Sequence, residues 1–362
     1  MVIHKKHHEK YMERCLELAS LAAGNTYPNP MVGSVIVYND KIIGEGYHIA
    51  HGEKHAEVNA IESVKDRSLL KKSTLYVNLE PCSHYGKTPP CADRIVEEGI
   101  PEVVVGTLDT SGKVSGKGVK IMKEAGCKVT IGVLEEACRE LNKRFFCYYE
   151  QGRPYIILKW AQSQDGYIDK KREPDDPIAP NWITDNVARR LVHKWRTQES
   201  AILVGSKTAI KDNPQLNVRD WSGKNPLRFV LDKDFEINQR YKLIYDNDST
   251  IIFVDKTVDN KRLDKYADYE TEFIKLDYNG NLLKQVSDYL YSKGIMSVII
   301  EGGAVTLESF LNANLWDEAR VFVGEMMFFE GVKAPPMPLV NPVDRLEYKN
   351  SVLCVFRRNF NT

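Results

Sequence analysis

His55 and Glu57 stand two residues apart, and Cys82 and Cys91 follow, with Pro81 directly before the first cysteine. One imidazole and two thiolates supply three ligands to a tetrahedral Zn2+ and leave a fourth position for water. An ion bound in this way lowers the pKa of its water toward neutrality. Glu57 is spaced to carry a proton from that water to a substrate nitrogen and then to a departing amine. The chemistry open to this set is hydrolytic displacement of an amine. Each part alone is weak: H-x-E on a helix is common, and buried thiols are often small apolar fillers. Their order, with a β-rich run leading into Pro81, argues against coincidence. The competing reading is a structural zinc site, because such sites close all four positions and His84 lies between the cysteines. His48 and His51 read equally as surface or pocket residues, and Cys15, Cys127, Cys138, Cys147 and Cys354 as bystander thiols.

A second candidate is Glu301-Gly302-Gly303, between the apolar run 296–300 and the helical pattern AVTLESFLNA. Glycines there let backbone amides approach a phosphate, and the helix N-terminus adds a favourable partial charge. A tight turn is the plainer explanation of the pair by itself. No G-x-G-x-x-G follows a strand, so the usual dinucleotide fingerprint is absent.

The elements that must carry these residues alternate between strand and helix. Residues 33–40 read as a strand, with 41–48 as its hairpin partner after Asn39-Asp40. A helix over 55–65, a strand over 74–79, a helix over 91–99 and a buried strand over 102–106 follow. A helix over 119–125, a strand over 127–133 and one long helix over 134–149 complete a three-layer α/β domain. The boundary falls in QGRP, which gives domains 1–150 and 151–362. The second domain reads as α/β on a mainly parallel sheet, with strands at 201–205, 226–232, 250–255 and 296–300 and a helix over 184–198. The stretch 170–180 is charged and Pro-rich and reads as a surface loop.

Composition narrows the function classes. The 362 residues favour two domains, and 43% hydrophobic with 28% charged residues is ordinary globular composition. Lys+Arg and Asp+Glu balance at 50 each, so there is no basic excess of the kind nucleic-acid binders carry. No apolar run approaches the roughly 18 residues of a membrane span. The start of the chain is charged and histidine-rich, without the apolar region of a signal peptide. Seven cysteines without such a signal read as reduced thiols or metal ligands. A soluble cytoplasmic protein is expected, and the sequence leaves homo-oligomerisation open.

The order H-x-E then P-C…C resembles the signature of zinc nucleobase deaminases, although eight residues, not two, separate the cysteines here. The stretch from Pro81 to Cys91, P-C-S-H-Y-G-K-T-P-P-C, resembles the bifunctional riboflavin-biosynthesis deaminase/reductase family. So do Thr26 to Gly33, Trp182-Ile183-Thr184, Asp212 to Leu216 and Glu301-Gly302-Gly303. Leu141-Asn142-Lys143, Lys159 and Asp165-Gly166 are similar to parts of its reductase half. The resemblance implies a cytidine-deaminase-like domain followed by a dihydrofolate-reductase-like one. It implies zinc-dependent deamination of 2,5-diamino-6-ribosylamino-4(3H)-pyrimidinone 5′-phosphate, then reduction of the ribosyl group to ribityl by NADPH. Asn29 and Lys87 match substrate positions of the deaminase, Lys87 as a contact to the phosphate. Ala161, Trp182, Thr208, Asp212 and the run Gly303, Ala304, Val305, Thr306, Leu307, Glu308, Ser309 match cofactor contacts. Arg196, Leu216, Arg219 and Glu301 match substrate contacts, and Lys159 is the nominated proton donor. Two departures are Tyr85 and Lys87, where many relatives carry His and Arg. A polynucleotide-editing deaminase and a deaminase with a non-reducing second domain are the rival readings.

Overall fold

The computed structural model describes residues 2–85, 89–111, 116–246 and 248–358. The chain divides into two compact units, Met1–Gly152 and Arg153–Thr362.

The first unit runs α1 (Val2–Ser20), β1 (Gly33–Tyr38), β2 (Lys41–Tyr47), α2 (Ala56–Ser63), β3 (Thr74–Leu79), α3 (Cys91–Glu97), β4 (Glu102–Thr107), α4 (Lys117–Glu124), β5 (Lys128–Ile131), α5 (Glu135–Leu141) and α6 (Lys143–Gln151). Its strands lie in the order β2-β1-β3-β4-β5. β1 is antiparallel to both neighbours, while β3, β4 and β5 are parallel. Asn39 and Asp40, with φ of 46 and 61, form the two-residue turn between β1 and β2. Short polar side chains tolerate that left-handed conformation, which suits the twist of a hairpin. Strand alternation then sorts the core into two faces. Ile36, Leu75, Val77 and Val103 pack with Ile61, Ile95 and Met122. Val35, Val37, Tyr76 and Val104 pack with Tyr11, Met12 and Cys15. The sheet is thus covered by helices on both sides.

Two α-helical segments of this unit differ from the sequence expectation. α1 has no counterpart in it, yet Tyr11, Met12, Cys15, Leu18 and Ala19 are all buried at helical spacing. Charged neighbours dilute that stripe in the sequence. The long helix expected over 134–149 is two helices, broken at Asn142, whose φ of −104 and ψ of 24 leave helical geometry. Its side chain explains the break, accepting from Met31 N–H at 2.8 Å and donating to Met31 O at 2.9 Å. Leu141-Asn142-Lys143 therefore belongs to the first unit and not to the reductase half its resemblance suggested.

The second unit runs β6 (Tyr155–Gln162), β7 (Tyr167–Lys170), α7 (Asn186–Gln198), β8 (Ala201–Gly205), α8 (Ser206–Asp212), β9 (Leu227–Leu231), α9 (Lys242–Tyr245), β10 (Thr250–Asp255), α10 (Asn260–Leu263), β11 (Thr271–Leu276), α11 (Leu282–Ser292), β12 (Ser297–Glu301), α12 (Ala304–Asn312), β13 (Glu318–Gly324), β14 (Gly331–Lys333), β15 (Asp344–Tyr348) and β16 (Ser351–Arg357). A nine-stranded sheet has the order β11-β10-β9-β8-β12-β6-β13-β16-β15, with β7 and β14 as a separate ribbon. All pairings from β11 to β13 are parallel, and only β16 and β15 join antiparallel. β8 and β12 are buried along nearly their whole length, as central parallel strands covered on both faces must be. Leu158, Leu203, Phe229, Phe253, Ile300 and Phe310 share one core, while Ala188 and Val192 of α7 pack with Phe322 and Leu353. β6, β8 and β12 end side by side, and in such sheets ligand-binding residues gather beyond the carboxyl ends of the strands.

Candidate functional site

In the first unit, His55 is the N-cap of α2 and Cys91 is the first residue of α3. Cys82 follows the end of β3, where its carbonyl accepts from Ala92 N–H at 3.1 Å. Two helix starts and one strand end thus converge. His55 Nδ1 lies 3.5 Å from Cys82 Sγ and 3.3 Å from Cys91 Sγ. The three donor atoms fall within 4.8 Å of one another, and His84 is not part of this group. One nitrogen and two soft sulfurs at such spacing fit a zinc ion, with His55, Cys82 and Cys91 as its holders. The backbone N–H of Cys91 donates to Cys82 Sγ at 3.2 Å. Cys91 and then His55 draw the Cys82 thiol well below its ordinary pKa, as a metal-binding thiolate requires.

Glu57 is 3% exposed, on the first turn of α2. Burial, then the Cys82 thiolate, push its carboxyl up to about 7. A carboxyl poised there both takes up and releases protons near neutral pH. Beside these residues opens a cavity of about 630 Å3 lined by Asn29, His51, His55, Asn59, Cys82 and His84. Lys87 lies outside the described residues.

Three residues to which the sequence reading gave no such task fasten the stretch that carries Asn29, and one of them holds Asn29 itself. Asn142 clamps Met31 as described, and Asn78 accepts from Gly33 N–H at 2.8 Å and donates to Met31 O at 3.1 Å. His48 is buried and its Nδ1 donates to Lys54 O at 3.0 Å. Its Nε2 is therefore the acceptor and takes the Asn29 amide N–H at 3.1 Å. With its nitrogen so engaged, Asn29 keeps its amide oxygen for another donor. The sequence signal for Asn78 was slight, being only a polar residue inside a strand pattern, while Asn142 stood out only within the Leu141-Asn142-Lys143 resemblance.

In the second unit, Lys159 of β6 and Glu301 of β12 are register partners on adjacent strands. Lys159 Nζ lies 3.9 Å from Glu301 Oε2, and Arg196 of α7 donates to both Glu301 oxygens at 2.9 and 3.3 Å. Burial alone would raise Glu301, but Arg196 and Lys159 override it and hold the carboxyl at about 2. Burial in turn lowers Lys159 below the usual ammonium range. Arg196 also donates to Asn217 O at 3.0 Å, beside the buried Leu216 and the exposed Arg219.

The Gly-Gly turn is tied to α8 by a bond from Gly303 N–H to Thr208 Oγ1 at 2.7 Å. Within the following stretch, Ala304 and Thr306 are half-buried and Val305, Glu308 and Ser309 are exposed. Leu307 is fully buried in the core, so it can offer a ligand only its backbone. Asp212 is engaged by Arg172 at 2.6 Å. Ala161 lies two residues beyond Lys159 on β6, and Trp182 is half-exposed under the Arg189 guanidinium. Arg189, His193 and Arg196 share one face of α7 by their i, i+4, i+7 spacing; of these only Arg196 stood out in the sequence.

Residues 5–107 match the cytidine and deoxycytidylate deaminase zinc-binding region, and residues 154–337 match the RibD C-terminal domain. The riboflavin biosynthesis protein RibD of Aquifex aeolicus is 40% identical over 325 residues, covering 90% of this chain and 88% of its own. A crystal structure of a diaminohydroxyphosphoribosylaminopyrimidine deaminase/5-amino-6-(5-phosphoribosylamino)uracil reductase from Thermotoga maritima superposes with a TM-score of 0.83 at 34% identity, covering 98% of this chain and 99% of that one. Acinetobacter baumannii RibD gives 0.85 at 31% identity with the same coverage.

Proposed function

Because this chain belongs to the RibD family of bifunctional riboflavin-biosynthesis deaminase/reductases, we propose that its first unit deaminates 2,5-diamino-6-ribosylamino-4(3H)-pyrimidinone 5′-phosphate and its second unit reduces the product with NADPH. The observation that carries the reading is the convergence of His55, Cys82 and Cys91 beside the buried Glu57 at a cavity large enough for a pyrimidine nucleotide. Zinc, when bound, supplies Lewis-acid activation of water. In the deamination, the C2–N bond to the exocyclic amine breaks, water provides the oxygen, and ammonia leaves. Glu57 moves the protons, first to the ring nitrogen and then to the departing ammonia. Asn29, oriented by His48, offers its amide oxygen to a donor on the pyrimidine. Lys87 is the proposed contact to the phosphate.

NADPH supplies the hydride for the reduction. Conversion of ribosyl to ribityl also needs one proton, and Lys159 is the proposed donor, since burial lowers its pKa and brings proton release closer to neutral pH. Arg196 and Arg219 would receive the 5′-phosphate, with Glu301 holding both Arg196 and Lys159 in position. The Gly303 amide, Thr208, Thr306 and the start of α12 support a cofactor-phosphate subsite, bordered by Ala161, Trp182 and Asp212.

The test is to incubate the purified protein with the diaminopyrimidine phosphate, with and without NADPH, and follow product masses. The deaminated compound should form in either case and the ribityl compound only with NADPH. Deamination without reduction would leave the second unit without its proposed activity, and action on single-stranded nucleic acid alone would overturn the reading for both units.

A further inference from the structure

We propose that His193 is a positioning residue of the reductive site, holding Arg219 beside Arg196 so that both guanidiniums can face one phosphate. The inference rests on the reading of Arg196 and Arg219 as partners of the substrate 5′-phosphate. His193 is 4% exposed, on the face of α7 that also carries Arg189 and Arg196. Its Nδ1 accepts the backbone N–H of Arg219 at 3.4 Å, which leaves the ring proton on Nε2, 3.4 Å from Asp220 Oδ2. Arg196 ties the same loop to α7 through Asn217 O at 3.0 Å. The loop is thus fastened at two points, one of them the backbone of Arg219, whose side chain is exposed. The Arg219 guanidinium makes no hydrogen bond to any described residue.

Two neighbouring guanidiniums repel each other, so holding them together favours an anion that accepts from both. Desolvation lowers the pKa of Arg219, and Arg196 lowers it further, the second effect being this crowding of charge. The post that fixes such a pair must not add a third charge. His193 meets that condition: burial, then Arg196 and Arg219, bring it down to about 4 against the opposing pull of Asp220 and Glu301. A neutral imidazole gives Arg219 N–H its acceptor and gives Asp220 a donor. A lysine or arginine at this position would have no acceptor for that N–H and would enlarge the repulsion.

The experiment uses the full-length zinc- and NADPH-supplied enzyme and measures reduction of the deaminated substrate in phosphorylated and dephosphorylated forms. His193→Leu removes both bonds. It should raise KM for the phosphorylated substrate about tenfold while kcat changes less than about threefold, the size expected for losing one or two buried hydrogen bonds. The kcat/KM for the dephosphorylated substrate should not change. His193→Asn keeps an acceptor near the Nδ1 position and should restore most of the affinity, whereas His193→Gln keeps only the distal donor and should resemble Leu. The Asn–Gln contrast decides the matter even if Leu folds poorly, with urea denaturation of the second unit and kcat/KM on the dephosphorylated substrate as the folding control. Arg219→Met is the parallel variant. If it raises KM and the His193 variants do not, the phosphate reading stands and the role of His193 is wrong. If Arg219→Met leaves KM unchanged, the phosphate reading fails and the inference with it. Equal losses on the phosphorylated and dephosphorylated substrates would show that His193 merely supports the fold.

Discussion

Cys82 and Glu57 are close neighbours with different duties, and substitution should separate them. The thiolate holds an ion, so Cys82→Ser or Cys91→Ser should abolish bound zinc, measured by metal analysis, and deamination with it. Glu57 lies outside the ligand trio. Glu57→Gln should keep the zinc and lose turnover by about a hundredfold or more, because an amide cannot shuttle protons. A Glu57→Gln enzyme turning over at the wild-type rate would remove Glu57 from the mechanism. The ligand trio was legible in the sequence because few residue types bind zinc and their order along the chain is restrictive. The tasks of Asn78, Asn142 and His48 were not legible, since the two asparagines hold backbone 45 to 111 residues away and His48 a side chain 19 residues away, and no local pattern records such a partner.

At the scale of elements, the β12–α12 junction shows where glycine is required. Of the pair, Gly303 has φ of −46, open to any residue, while Gly302 has φ of +94. A Cβ on Gly302 would lie 2.6 Å from Thr208, against 3.1 Å for Gly303. Gly302→Ala should therefore cost about 2 kcal/mol in urea denaturation of the second unit, and Gly303→Ala less than about 1 kcal/mol. Equal costs would contradict the assigned turn geometry. The same junction joins three elements through Glu301, whose removal leaves Arg196 and Lys159 uncompensated. Glu301→Gln should destabilise the unit by about 3 kcal/mol at neutral pH. Because the folded-state pKa is depressed from 4.5 to about 2, that stability is fully present above about pH 4.5 and disappears as pH falls toward 2. The gap between wild type and Glu301→Gln should narrow over that window, and a gap independent of pH would assign the cost to packing instead.

Across the whole molecule, each compact unit contains its own candidate site: His55, Glu57, Cys82 and Cys91 in Met1–Gly152, and Lys159, Arg196 and Glu301 in Arg153–Thr362. Each also has its own buried core, which is what independent folding needs. Residues 1–152 expressed alone should bind one zinc per chain and deaminate the diaminopyrimidine phosphate without NADPH dependence. A folded, zinc-loaded fragment with no deaminase activity would show that the first site is incomplete by itself. Among the described residues, no helix is long and apolar enough to cross a membrane.

The sequence by itself determined the alternation of strand and helix around the candidate sites, the mainly parallel sheet of the second unit, the metal-ligand trio and the family. Periodicity, turn residues and ligand chemistry are local properties, and a run such as TLYVNL can be read without knowing what packs on it. Tertiary structure alone decided what depends on partners distant in the chain. The break at Asn142 answers to Met31, the charge state of Glu301 to Arg196 and Lys159, and the placement of Arg219 to His193. In each case a buried polar group needs a partner that folding supplies from another element, and the energy of that pairing overrides the local preference.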